Sequence, residues 1–260
     1  MAGRLAAGDA PGMSEAYREI AGSAASGLMV VVDHASNRVP PDIDLGISPD
    51  LLDKHIAWDI GAAALGEGLC ERFGCPGLFG GISRLVLDLH REPDSPGLIP
   101  AVSDGHAIPG NAALEEQERQ ERLDRFWRPY HERLSAMIDH IGPELIAAVH
   151  SFTPRLETAD GPIRPWEIGI LYNRDDLAAR VAIDWLRGEG LPTGDNEPYS
   201  GRLLNATMNM HAEARSIPYL AIEVRNDFLG NAAGITRWTN ILESLLRHCR
   251  NKLARCGGSP

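Results

Sequence analysis

The chain is short of several things, and each shortage excludes a class of protein. Its 260 residues hold four cysteines, Cys70, Cys75, Cys249 and Cys256, none in a C-x-x-C arrangement. That spacing argues against a structural zinc knuckle or a thioredoxin-like motif and for reduced thiols in a reducing compartment. No apolar stretch approaches the roughly 18 residues that a membrane-spanning helix needs. Basic residues are in the minority: 25 Lys and Arg against 36 Asp and Glu leave a formal charge of -11. Phosphate neutralisation needs a basic face, so nucleic acid is not an expected partner, and any bound anion must be met by local arginines. A G-x-S-x-G elbow, a P-loop and a G-x-G-x-x-G after the first apolar run are also missing, which disfavours serine-nucleophile chemistry and nucleotide binding.

What is present is the composition of an ordinary globular protein, 43% hydrophobic and 23% charged, with a core large enough to need no staples. One domain is expected over residues 27–260. Residues 1–26 are rich in Ala and Gly and lack the apolar block of a signal peptide, so they read as a poorly ordered leader, and the expected location is cytoplasmic. Apolar runs at 28–32, 78–83, 85–89, 144–151, 167–172 and 218–225 alternate with helical patterns at 51–73, 115–141, 175–187 and 232–253. Ser48-Pro49-Asp50 is a helix-start signal, Asn111 is placed to cap the helix after it, and Pro129 should bend or split that helix. Such alternation predicts an α/β fold: three layers, a mixed or mostly parallel sheet with helices on both faces. The proline- and glycine-rich stretch from 91 to 110 reads as a long functional or mobile loop.

Three of the apolar runs end in, or carry, chemistry. Leu28 to Val32 runs into Asp33-His34-Ala35-Ser36-Asn37, the run ending at Val149 is followed by His150, and Glu223 lies between Ile222 and Val224. In open α/β sheets, ligands bind beyond the carboxyl ends of the strands. His34 and His150 can together hold Zn2+ through ring nitrogens, with an oxygen ligand and an open position completing a catalytic site. Asn37 is a candidate for that ligand or for an orienting role, and Asp33 and Asp59 are the carboxylate alternatives. A buried Glu223 is either employed as a proton acceptor or neutralised by a partner such as Arg225. Arg84 and Arg91 either form a fork for a substrate carboxylate or pair with Asp88. His211, with Asn205 at the head of the same segment, is a candidate substrate contact. His55, His106, His131, His140 and His248 read as structural or exposed.

Taken in order, Asp33-His34-Ala35-Ser36-Asn37-Arg38-Val39-Pro40, His55-Ile56-Ala57-Trp58-Asp59-Ile60-Gly61-Ala62, Ser83-Arg84 to Arg91, His150-Ser151-Phe152 and Ile222-Glu223-Val224-Arg225-Asn226-Asp227 resemble the N-formylglutamate amidohydrolase family. The resemblance spans roughly residues 28 to 253. It implies a fold related to the zinc carboxypeptidases and aspartoacylases, and hydrolysis of N-formylglutamate to formate and glutamate. It implies His34 and His150 as metal histidines, Glu223 as general base, and Arg84 and Arg91 near the substrate carboxylate. Asn37 stands where the carboxypeptidase-like pattern has a Glu ligand. The expected partner is accordingly a small acidic N-acyl amino acid. A related N-acyl amino acid, a short peptide, or an inactive carboxylate-binding relative are the alternatives.

Overall fold

The three apolar runs that carry His34, His150 and Glu223 lie side by side at the centre of the molecule. The computed structural model describes residues 14–256. In chain order the strands are β1 (Tyr17–Ile20), β2 (Leu28–Val32), β3 (Gly77–Gly80), β4 (Val102–Ser103), β5 (His106–Ala107), β6 (Leu145–Phe152), β7 (Ile168–Leu171), β8 (Thr193–Asp195) and β9 (Tyr219–Arg225). The helices are α1 (Ala62–Phe73), α2 (Pro109–Ala112), α3 (Glu116–Arg122), α4 (Arg128–Ile141), α5 (Leu177–Gly188), α6 (Ala206–His211) and α7 (Ala232–Cys256). Seven strands form one sheet in the order β1-β3-β2-β6-β9-β7-β8, and β4 and β5 make a separate hairpin. Strands β3, β2, β6 and β9 run parallel, whereas β1 and β7 oppose their neighbours β3 and β9. The sheet is therefore mixed, in an α/β fold with helices on both faces.

Period-2 alternation sorts the central strands onto two cores. Val30, Val32, Ala147, Val149, Leu220 and Ile222 pack with residues of α1, α5 and α7 on one face. Met29, Val31, Ile146, Ala148, Tyr219 and Ala221 pack on the other face with residues of α4 and α6 and the segment around 82–98. The same alternation carries Asp33, His150 and Glu223 onto the second face. From β2 the chain steps to β3 on one side, then returns to β6 on the other, so strand order reverses between β2 and β6. That reversal opens a crevice at the carboxyl ends of the strands. His34 and His150 sit on its two sides, and Glu223 pairs with His150 across β6 and β9.

Four elements differ from the sequence expectation. Tyr17–Ile20, within the supposed leader, is an edge strand; it lacks an apolar run because all four side chains stay half-buried and Glu19 is paired with Arg133. Residues 1–13 of that leader lie outside the described residues. The helical pattern from Leu51 resolves into a short 3-10 turn, Pro49–Asp53, an irregular stretch, and α1, which starts only after Gly61 takes up a left-handed φ of 83°. The alternating segment 85–89 is not a strand: turns closed by Val86 N–H to the Ser83 carbonyl and Asp88 N–H to the Leu98 carbonyl bury its apolar residues on both sides. Asn111 is no cap, since its buried amide donates to the Leu85 and Pro100 carbonyls, and α3 is instead closed by a Glu115–Glu118 capping box. Pro129 behaves as anticipated, standing in the first turn of α4 after a π-helical turn that separates it from α3.

Candidate active site

Two histidines and one carboxylate converge at the crevice. His34 Nδ1 lies 3.3 Å and His150 Nδ1 2.9 Å from the same oxygen, Oδ2 of Asp59. All three residues are buried, and the three ligand atoms lie within 4.8 Å of one another. Asp59 arrives on the irregular stretch before α1, where its backbone N–H bonds the His34 carbonyl and the Ser151 N–H reaches its Oδ2. The far nitrogen of each imidazole also faces a carboxylate. His34 Nε2 is 2.6 Å from Asp88 Oδ1, and His150 Nε2 is 3.4 Å from Asp33 Oδ2 without a well-formed hydrogen bond. Asp33 is itself fixed by the Tyr130 hydroxyl at 2.8 Å and the Thr207 hydroxyl at 3.0 Å. An imidazole whose outer nitrogen meets a carboxylate is held in one tautomer and made a better donor at the other nitrogen.

Electrostatically the cluster is short of positive charge. Burial works against ionisation of Asp33 and Asp88, yet His150 and His90 around the first, and Arg84 and His34 around the second, hold both well below the carboxylate range. Burial likewise opposes a charged imidazole, but Asp33 and Asp59 lift His150 well above its ordinary value, and Asp88 and Asp59 lift His34. Glu223 is different. Burial pushes it up to about 7 against the pull of His150, and its Oε2 has no hydrogen-bond partner.

The cluster forms the floor of a cleft of about 530 Å³. Of the residues singled out in the sequence, His34, His150, Glu223, Arg84 and Arg91 all line this cleft. The others are placed elsewhere. Asn37 is half-buried with its amide donating to the Leu52 carbonyl at 2.9 Å, and it is Asp59 whose oxygen meets the two imidazoles. Asn205 is buried against Tyr219 and Asn209. His211 stacks on His131 with ring planes 2° apart and ring nitrogens 2.9 Å apart, away from the cleft. Arg225 turns to Asp227 and the Arg164 carbonyl rather than neutralising Glu223.

The two arginines differ in availability. Arg84 is committed, 2.7 Å from Asp88 Oδ2 and 3.4 Å from Asp59 Oδ1. Arg91 is held more loosely, with Nε 3.8 Å from Asp88 Oδ2. The sequence reading passed over His90, which lines the cleft with Nδ1 held 3.0 Å from both Asp33 and Thr207. His55, which the sequence suggests is structural or exposed, also lines the cleft, its Nε2 3.0 Å from Asp104. The order Asp88-Leu89-His90-Arg91 is the sequence signal for the first, and the place of the second at the head of His55-Ile56-Ala57-Trp58-Asp59 is its only one.

The sheet and its strand-end cluster define a mixed-sheet α/β protein with a histidine–carboxylate centre. The comparisons narrow this further. The family model described as N-formylglutamate amidohydrolase matches residues 26–229. The crystal structure of a gene product from Agrobacterium tumefaciens superimposes with a TM-score of 0.84 at 31% identity, covering 95% of this chain and 97% of that one. N-formylglutamate amidohydrolase from Ralstonia eutropha superimposes with a TM-score of 0.63 at 20% identity, covering 93% and 99%, and so shares the fold. No curated protein sequence matches. The chain belongs to the N-formylglutamate amidohydrolase family.

Proposed function

We propose that the protein is a metal-dependent amidohydrolase that cleaves the linear amide of an N-acyl amino acid, with N-formylglutamate the family's namesake substrate. The observation that carries this reading is the meeting of His34 Nδ1, His150 Nδ1 and Asp59 Oδ2 beside an unpartnered Glu223 carboxylate. The donor set fits a divalent cation. Two imidazoles and one carboxylate are the protein ligands of a catalytic zinc site, and the imidazoles keep carboxylates at their outer nitrogens. The raised values of His34 and His150 are those of a cluster that draws in positive charge, as protons or as an ion. A divalent ion, Zn2+ by the chemistry of this set, would supply polarisation of the amide carbonyl and a water with a pKa lowered toward about 7.

The chain's own residues do the rest. Glu223, held by β9 beside His150 and with one oxygen free, accepts the proton of the attacking water and returns it to the departing amine. Arg91 receives the amino-acid carboxylate as a bidentate fork. Arg84 stays with Asp59 and Asp88, holding both in place and keeping Asp88 ionised. The crevice excludes bulk water from the buried floor, which strengthens each of these contacts. Replacing Glu223 by Gln tests the assignment: kcat for an N-acyl amino acid falls about 10²- to 10⁴-fold while metal content is unchanged. Equal loss of metal and activity would reassign Glu223 to the ligand set, and an unchanged rate would remove it from the chemistry.

A further inference from the structure

The cleft is lined by both charged and apolar side chains. The opposite wall from the metal-binding floor is formed by the β4–β5 hairpin and the loop after β6, clasped together by Asp104. Its carboxylate takes the Glu157 N–H at 2.7 Å, the Thr158 hydroxyl at 2.7 Å and His55 Nε2 at 3.0 Å. Ile56, Pro100, Val102, Phe152, Leu156 and Leu204 line the cleft, and Val102 is 62% exposed there. Several apolar side chains gathered in one cleft suit an apolar group of a ligand.

Counting charges gives the same answer independently. N-formylglutamate carries two carboxylates, and each needs a cation or a set of donors once desolvated. Among the described residues at the cleft, every cation faces a carboxylate, and all but one are held at 3.4 Å or closer. Arg84 belongs to Asp88 and Asp59, His55 to Asp104, and Lys54 and His106 at the rim both belong to Glu157, at 2.9 Å each. Burial also pushes the His55 imidazole toward its neutral form despite Asp104. Arg91, with Nε 3.8 Å from Asp88 Oδ2, is the most loosely held of them. Size agrees: at the ~30 Å³ of a liquid water each, the twelve heavy atoms of N-formylglutamate fill no more than about 360 Å³, against the 530 Å³ of the cleft.

The geometry points to a substrate that is an N-acyl amino acid with a single carboxylate and a bulky apolar substituent, its carboxylate on Arg91 and its apolar group against Val102, Leu156 and Leu204. This rests on the amidohydrolase reading of the same site. The apolar group can be supplied by the amino-acid side chain or by the acyl chain, and the probes separate the two. Zinc-loaded protein is assayed on N-formylphenylalanine, N-hexanoylglycine and N-formylglutamate, and the Glu223→Gln variant is titrated with each by calorimetry. One or both apolar probes should exceed N-formylglutamate at least tenfold in kcat/KM and bind tighter to the variant. Val102→Lys and Leu156→Lys, which add a cation to the outer wall, should shift the kcat/KM ratio at least tenfold toward N-formylglutamate. Preference for N-formylglutamate in the unmodified protein, or a ratio that moves in neither Lys variant, overturns the inference while leaving amide hydrolysis intact. Turnover of none of the three overturns the underlying reading with it.

Discussion

Asp59 Oδ2 is the point on which the candidate centre turns, because both Nδ1 atoms are aimed at it. Around it the outer carboxylates matter next. Asp88 holds His34 Nε2, accepts the His90 N–H and is paired with Arg84. Replacing Asp88 by Asn keeps the shape but removes the charge, so metal affinity should fall about 10- to 100-fold, read by competition with a chromogenic chelator. Unchanged affinity would mean that His34 is oriented by its backbone alone. At this scale part of the site was legible in the sequence. His34, His150 and Glu223 could be found because a histidine or carboxylate at the end of a buried strand is conspicuous. Asp59 was only one of several carboxylates that could serve, since its position depends on an irregular stretch of backbone whose path no periodicity encodes. Asn37 stood out through spacing alone, and its amide is spent on the Leu52 carbonyl.

Elements place these residues, and two of them can be tested. Where β3 passes the end of β2, a Cβ on Gly80 would meet the Asp33 carbonyl oxygen at 2.0 Å. Gly80→Ala should therefore displace the β2 end that carries Asp33 and His34, costing about 1–3 kcal/mol in denaturant unfolding. An unaltered midpoint would show that β3 can slide away freely. On the other face, α4 and α6 meet through His131 and His211. His131 Nε2 donates to the Leu89 carbonyl, so its Nδ1 is bare and accepts from His211 Nε2–H. Burial, then His211, pushes His131 down to about 3; burial, then Arg215, pushes His211 down to about 4. Both are neutral in the fold and charge near 6.5 when unfolded, so the unfolded chain binds more protons below that pH. Their contribution is full above pH 6.5 and is lost as pH falls, at about 1.4 kcal/mol per unit for each histidine, down to pH 4 for His211 and pH 3 for His131. Denaturant unfolding at pH 6.5 and 5.0 should show this loss in the unmodified protein and not in a His131→Gln/His211→Gln variant; equal losses in both would contradict it. The elements themselves were largely readable: the central strands and α5 and α7 follow strong apolar patterns. Segment 85–89 was misread as a strand because burial on all sides copies the pattern of strand alternation.

At the scale of the whole molecule, the sheet order explains why three distant stretches of sequence line one cleft. The reversal between β2 and β6 creates the crevice, and the parallel run of β2, β6 and β9 delivers all three strand ends to the same edge. Strand order was not legible in the sequence, because pairing partners are chosen by the packing of both faces at once. Among the described residues no helix is long and apolar enough to cross a membrane. The formal charge of -11 gives no general attraction for an anion, so the proposed carboxylate contact has to be local. The central claim is that the His34, Asp59 and His150 cluster holds a divalent ion, and metal analysis of the protein after zinc loading and gel filtration tests it most directly. The account predicts one zinc per chain in the unmodified protein and a loss of most of it in Asp59→Ala. Zinc far below one per chain, or an equal content in the variant, would contradict it.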